Sequence, residues 1–440
     1  MSHAWNGMNR RRFLQLSVGA AAAGLLPVPG MAEEKLKTRA RVLIIGGGAA
    51  GIAMANRFAQ SLDGAKITVA GARIPHIYQP GLTLVASGLW EQKKVVTATS
   101  DWLPEGITWI RHNASEFDPD NKTVQLMNGQ KIPYDILIVA PGCQLNYQEI
   151  EGMSPALIGQ HGIGSVYAGP EAATKTYQMI RSYINKNSGQ AIFTLSNTPI
   201  KCAGAPLKLT FLMLDHLEKT GRRENYDVRF VSPYDKKVFS IPYYNDFVLK
   251  RWQQQQVGFL DNRVLTAIDG PAQKATFTQP DGVQETLDFD FIHVVPPMSA
   301  PDAIRNSELV WQEGSMAGNW VEVDQYSMQH RRYPEVFAIG DVAGTPFGKT
   351  AASVKLQAPV VEANVRAFLA GSELTATYDG YTSCPLITAV GKAVLVEFGY
   401  GGKLLPSFPF ISPKEESWLV WMMKEKMLQP AYYAMLHGAV

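Results

Sequence analysis

Short apolar blocks rich in β-branched residues recur along this chain, separated by longer mixed stretches. The clearest are Arg41-Val42-Leu43-Ile44-Ile45, Lys66-Ile67-Thr68-Val69-Ala70, Tyr134-Asp135-Ile136-Leu137-Ile138-Val139, Gln190-Ala191-Ile192-Phe193-Thr194-Leu195 and Val336-Phe337-Ala338-Ile339. Strands buried on both faces read as continuous apolar runs, so these blocks predict parallel sheets covered by helices. Residues 52–62 and 207–219 read as two such helices. The pattern as a whole predicts an α/β fold. It changes character near the C-terminus. Ser417-Trp418-Leu419-Val420-Trp421-Met422-Met423-Lys424-Glu425-Lys426-Met427-Leu428 and, after Pro430, Ala431-Tyr432-Tyr433-Ala434-Met435-Leu436-His437 form an aromatic, Met-rich tail with few charges. Two short helices broken by proline cannot span a bilayer, but they can lie in its interface with Trp and Tyr at headgroup depth. The competing reading is a core helix or a dimer face, since such stripes are more often buried in protein.

The first block carries chemistry. It runs into Gly46-Gly47-Gly48-Ala49-Ala50-Gly51 and then a helix, which is G-x-G-x-x-G in its strand–turn–helix setting. Gly46 permits the tight turn, Gly48 lets backbone approach a pyrophosphate, and Gly51 lets the helix pack on the strand. The helix N-terminus then faces the phosphates. The chain therefore opens with a Rossmann-like dinucleotide-binding unit. The acidic residue expected after the next strand, which would hold the ribose hydroxyls, is absent. Gly71-Ala72-Arg73 stands there, which leaves backbone or Arg73 to hold the adenosine end.

Two later segments select FAD. Ala140-Pro141-Gly142 and Gly340-Asp341 each follow a strand, and both resemble the secondary motifs of two-dinucleotide-domain flavoproteins, whose aspartate binds the ribityl chain. The run from Thr350 through Lys355 to Gln357 reads as a helix start, and a helix N-terminus stabilises negative charge on a reduced flavin. A second Rossmann-like unit begins at Gln190, but its turn is Ser196-Asn197-Thr198-Pro199-Ile200-Lys201-Cys202-Ala203-Gly204-Ala205-Pro206. Two prolines and one glycine cannot supply the row of free N–H groups that a pyrophosphate needs. This unit is expected to bind no nicotinamide cofactor.

Composition narrows the partners. A chain of 440 residues with 46% hydrophobic and 18% charged content fits a globular protein of roughly two to three domains. The 41 basic and 39 acidic residues leave a net charge of +2, which makes no case for nucleic acid. No Cys/His cluster has zinc-ligand spacing, so no metal is expected. Asn9-Arg10-Arg11-Arg12-Phe13-Leu14-Gln15 matches the twin-arginine export pattern, followed by an apolar run and small residues at Gly30-Met31-Ala32. Residues 1–32 thus read as a signal peptide, and the expected location is the periplasmic face of the inner membrane, where disulfides form.

The chain has only three cysteines. Two of them beside a flavin can cycle between dithiol and disulfide, whereas the bland alternative is burial as inert side chains. Cys202 lies in Lys201-Cys202-Ala203-Gly204-Ala205-Pro206 and Cys384 in Ser383-Cys384-Pro385-Leu386. With His76-Ile77-Tyr78-Gln79-Pro80-Gly81, Val294-Val295-Pro296-Pro297-Met298, Gly340-Asp341 and Lys355-Leu356-Gln357-Ala358-Pro359, these segments resemble the sulfide:quinone oxidoreductase family over nearly all of the mature chain. The likeness is to the subgroup related to the mitochondrial enzymes, which keeps two redox cysteines.

The resemblance implies a fold of two Rossmann-like domains with an apolar helical tail at the membrane interface. It implies a redox pair of Cys202 and Cys384, with Cys202 preferred as the one facing the flavin, and Lys355 or Lys201 as nearby cations. It also implies that FAD is held by Gly46, Gly48, Gly51, Gln79, Pro80, Gly142, Gly340, Asp341 and Lys355. The expected reaction takes sulfide to sulfane sulfur or polysulfide and passes two electrons to a membrane quinone. Phe347, Phe408 and Phe410 are candidates for a quinone channel, Cys143 reads as structural, and a homo-oligomer is allowed. The chain divides into a signal (1–32), an FAD-binding domain in two parts (38–150 and 298–378), a second Rossmann-like domain (151–297) and a C-terminal redox-cysteine and membrane-associating region (379–440). The alternative is the flavin subunit of a flavocytochrome c sulfide dehydrogenase. The apolar tail and the lack of a cysteine near His76 for covalent FAD attachment oppose it.

Overall fold

The apolar blocks become the centres of two parallel sheets in the structure, a computed structural model that describes residues 34–439. The export segment expected at 1–32 lies outside the described residues. In the first sheet the strands Val336–Ala338, Ile136–Val139, Arg41–Ile45, Lys66–Ala70 and Thr108–Ile110 lie side by side in that order, all parallel. Every residue of Ile136–Val139 is buried, as a strand covered on both faces requires. The second sheet runs Ile163–Gly164, Phe291–His293, Gly189–Thr194, Tyr226–Val231, Gly258–Leu260, again parallel.

Parallel strands send all their outgoing loops to one edge, and ligands bind at that edge in open α/β sheets. Gly46, Gly71, Ala140 and Ile339 each follow a strand end on the first sheet, so four loops converge there. The helix after the glycine turn spans Ala49–Ser61, three residues earlier than the apolar pattern suggests. The second sheet's strand Gly189–Thr194 leads through Cys202 into a helix at Ala205–Lys219. Pro206 sits in that helix's first turn, where its missing N–H has no helical partner to lose.

An antiparallel pair, Thr382–Ala389 and Lys392–Phe398, packs on this helix and carries Cys384 opposite Val396. The tail then forms helices at Trp418–Met422 and Leu428–Leu436, joined by a π-helical turn over Met423–Met427. The chain therefore does not break at Pro430. That proline lies in the first turn of the last helix, where it is tolerated, and the irregularity falls earlier. No helix among the described residues is long and apolar enough to cross a membrane. Val420, Trp421, Tyr432, Met435 and Leu436 are buried in the same apolar core as the first strand. Each such side chain contributes about 1.5–3 kcal/mol on burial, so most of the tail is held by protein.

Candidate active site

The converging loops enclose a cavity of about 1340 Å3 that runs from the glycine turn to the two redox-cysteine candidates. Its glycines are there for space. Gly46 has φ +118°, and a Cβ on it would lie 2.2 Å from the Ala140 carbonyl oxygen. A Cβ on Gly51 would lie 1.8 Å from the Gly46 oxygen, so the helix packs onto the turn itself. Gly48 meets nothing within 4 Å, which leaves its backbone open to a pyrophosphate. Gly71, where an acid was expected, has a physical reason as well. A Cβ there would sit 2.7 Å from the Gly47 nitrogen, so this turn packs too closely against the phosphate loop for any side chain. Ala72, Arg73, Asn113 and Ser115 line the adjoining part of the cavity, with the Asn113 side chain accepting from the Ala72 N–H at 3.0 Å.

Gln79, Pro80, Gly142, Gly340, Asp341 and Lys355 all line the same cavity. The Gly340 N–H donates to Gln357 Oε1 at 2.9 Å, which fixes the Gly-Asp turn. Thr350 caps the helix Ala351–Leu369 by accepting from the Ser353 N–H, and this positive helix end faces the cavity. Open glycine backbone, a helix N-terminus at each end and the Gly-Asp turn fit FAD.

Cys202 and Cys384, remote in sequence, have their sulfurs 3.8 Å apart. Cys202 holds φ +46°, a left-handed conformation that costs a non-glycine residue energy and marks functional turns. The turn is over-determined: the Cys202 N–H donates to the Lys349 carbonyl, and its own carbonyl accepts from Ala205 N–H and the Tyr167 hydroxyl. Gly204 completes the motif, since a Cβ there would lie 2.9 Å from Cys384 Sγ.

The cation at the sulfurs is one that sequence reasoning passed over. Lys208, 3% exposed, places Nζ 2.9 Å from Cys384 Sγ and 3.8 Å from Cys202 Sγ. A hydrogen bond from Cys202 and the Lys208 charge hold the Cys384 thiol well below its ordinary range, against burial. That same contact, with burial, pushes Cys202 up. Burial alone would lower the Lys208 ammonium, but the two sulfurs outweigh it and the net shift is upward. Lys201 and Lys355 line the cavity, and burial lowers Lys355. The available signal for Lys208 was one charge inside the apolar run 207–214.

A second lysine comes from the tail. Lys424, in the π-helical turn, is 2% exposed and donates to the Pro80 carbonyl at 2.6 Å. Burial and the nearby Lys208 charge pull it down to about 7. π-Turns recur at functional sites because they re-aim a side chain. Tyr432, also lining the cavity, pairs with His76 Nε2 at 2.8 Å, and Tyr433 stacks on Trp102 at 4.4 Å. The tail is thus a wall of the site. Phe408 lines the cavity and contacts the exposed Phe410, whereas Phe347 packs on Phe398 instead. Cys143 also lines the cavity, where its sulfur neighbours Met298 at 4.0 Å, and burial raises it to about 11.

Comparison with known proteins agrees with this geometry. The pyridine nucleotide-disulphide oxidoreductase family matches residues 40–176. The mitochondrial sulfide:quinone oxidoreductase of Mus musculus is 34% identical over 423 residues, covering 96% of this chain and 91% of the relative. That of Dictyostelium discoideum is 34% identical over 408 residues, covering 92% and 88%. The Aquifex aeolicus sulfide:quinone oxidoreductase structure superposes with a TM-score of 0.74 at 19% identity, covering 91% and 92%. These relatives do not favour the flavocytochrome alternative. They also overturn one expectation: the curated relatives at 33–34% identity are mitochondrial enzymes, which points to mitochondria rather than to a periplasmic, twin-arginine-exported protein. A cysteine-bearing turn where a nucleotide loop would be, an FAD cradle and this depth of similarity lead to one assignment: the chain belongs to the sulfide:quinone oxidoreductase family of FAD-dependent oxidoreductases.

Proposed function

We propose that this protein oxidises sulfide through Cys202 and Cys384 and passes two electrons by way of FAD to a quinone. The observation that carries the reading is the 3.8 Å approach of the two sulfurs beside a buried Lys208 in the FAD-sized cavity. Bound FAD supplies the two-electron acceptor for the cysteine site and the donor for quinone. The residues do the rest. Hydrosulfide is an anion, and Lys208 and Lys424 draw it to the sulfurs. Its attack on the Cys202–Cys384 disulfide forms one S–S bond and breaks another, leaving a persulfide on one cysteine and a thiolate on the other. Lys208 reaches both sulfurs, so it stabilises the released charge on either. The π-turn and Tyr432 form one wall of the cavity beside this chemistry.

In this reading 38–150 and 298–378 act as one flavin-binding unit, and 151–297 supplies the cysteine turn in place of a nicotinamide site. The exposed Trp418 and Phe410, 58% and 71% accessible, form the rim that meets the membrane, while Val420, Trp421, Tyr432, Met435 and Leu436 face inward. Replacing Cys202 or Cys384 by serine is expected to abolish sulfide-dependent quinone reduction while FAD stays bound. Turnover near the parent rate in either variant removes the relay. Sedimentation with liposomes that is equal for the parent and a Trp418→Ala, Phe410→Ala double variant removes the rim.

A further inference from the structure

The overall reaction has a proton requirement that the sulfur site does not meet. Hydrosulfide, quinone and one proton give sulfane sulfur and quinol: sulfide loses two electrons and one proton, and the quinone gains two electrons and two protons. One proton per turnover must therefore come from solvent to the site where the quinone is reduced. Lys208 is committed to the sulfurs at 2.9 and 3.8 Å. Three carboxylates line the cavity among the described residues. Asp302 is exposed, and Asp341 belongs to the Gly-Asp turn of the cofactor cradle. Glu397 is 2% exposed and has no role in the chemistry described so far.

Glu397 lies on the strand Lys392–Phe398, paired with Ser383, the residue before Cys384. Its Oε1 accepts from the Tyr381 and Ser407 hydroxyls, both at 2.5 Å, and its Oε2 accepts from the Ser407 N–H at 2.9 Å. Tyr381 and Ser407 are themselves 3.1 Å apart. Ser407 is exposed at the surface, while Tyr381, Ser407 and Glu397 all line the cavity. The three groups thus form an unbroken hydrogen-bonded path from water to the interior. Each hydroxyl can accept a proton on a lone pair while donating its own. The path opens beside Phe408 and Phe410, at the apolar rim where a quinone would enter.

We propose that Glu397, relayed by Ser407 and Tyr381, delivers the solvent proton taken up when the quinone is reduced. This rests on the quinone reading above, but not on the cysteine relay, and the test separates them. Reduction of the FAD-loaded protein by dithionite bypasses the cysteines, and reoxidation is then followed with a soluble short-chain quinone and, separately, with ferricyanide, which takes electrons without protons. Glu397→Gln keeps the shape and most hydrogen bonds but holds no exchangeable acid. It is expected to slow quinone reoxidation by about 100-fold, the usual scale of general acid catalysis, and to leave ferricyanide reoxidation unchanged. Added acetic acid should restore part of the lost rate. The oxidised-minus-reduced infrared spectrum should lose a carboxyl band in the variant. If Glu397→Gln does not load FAD, Tyr381→Phe decides, with a slower quinone step and an unchanged ferricyanide step expected. Quinone reoxidation within twofold of the parent, or equal slowing with both oxidants, overturns the proposal.

Discussion

Lys208 Nζ lies 2.9 Å from Cys384 Sγ and 3.8 Å from Cys202 Sγ, so one buried cation serves both sulfurs. Lys208 follows Cys202 by six positions, on the first turns of the helix Ala205–Lys219. A lone ammonium at 3% exposure would be costly to keep charged. Thiolate partners remove that cost, and the ammonium in turn makes a thiolate stable at neutral pH.

Lys208→Gln should therefore slow sulfide-driven flavin bleaching. A charge-assisted hydrogen bond is worth about 1.5–3 kcal/mol, which corresponds to roughly tenfold to a hundredfold in rate. Cys384 is held low in part by Lys208, so its removal moves thiolate formation to higher pH. The alkaline-rising limb of the bleaching rate should shift upward in pH in the variant. An unshifted limb would show that Lys208 only packs.

Truncation after Pro413 is expected to impair the sulfide step as well as quinone transfer, because Lys424 and Tyr432 wall the cavity. Lys424 is pulled down to about 7 by burial and by Lys208, so its charge is present below that pH and lost as pH rises through it. The KM for sulfide, expressed as hydrosulfide concentration, should accordingly rise above about pH 7 in the parent. Lys424→Met should start high and vary less with pH. Parallel profiles for the two proteins would separate Lys424 from substrate capture.

Gly204→Ala tests the closeness of the cysteine turn. The added Cβ would stand 2.9 Å from Cys384 Sγ, closer than a carbon and sulfur can approach without movement. Bleaching by sulfide should fall by at least an order of magnitude, whereas FAD content should stay at the parent level, since the cradle is elsewhere. A fully active variant would mean that the hairpin bearing Cys384 yields easily.

NADH and NADPH are expected to reduce the flavin at no useful rate. A nicotinamide donor needs its pyrophosphate anchored in the second sheet's first turn. That turn holds Pro199 and a left-handed Cys202, and Pro206 opens the helix without an N–H. Several charge-assisted hydrogen bonds are lost, each about 1.5–3 kcal/mol. An anaerobic stopped-flow mix with millimolar NADH checks this; bleaching as fast as with sulfide would contradict it.

The parallel sheets, the glycine turn and the Gly-Asp turn were all legible in one dimension, because buried strands and tight turns restrict residue type locally. Lys66–Ala70 is an apolar block as written and a strand as folded. The conspicuous setting of Cys202 and Cys384 was likewise visible in their flanking residues. Gly71 was visible too, but read as a missing acid; only the 2.7 Å approach to Gly47 explains it. The cations were beyond local reading. Lys355 stood in a recognisable motif, yet the charges at the sulfurs belong to Lys208 and Lys424, brought together from a helix and a tail 216 residues apart. An apolar tail with Trp and Tyr reads as an anchor because sequence records how greasy a helix is, not what it is greasy against. Here the fold supplies its own surface for most of that tail, and so makes Lys424, Tyr432 and Glu397 neighbours of one cavity.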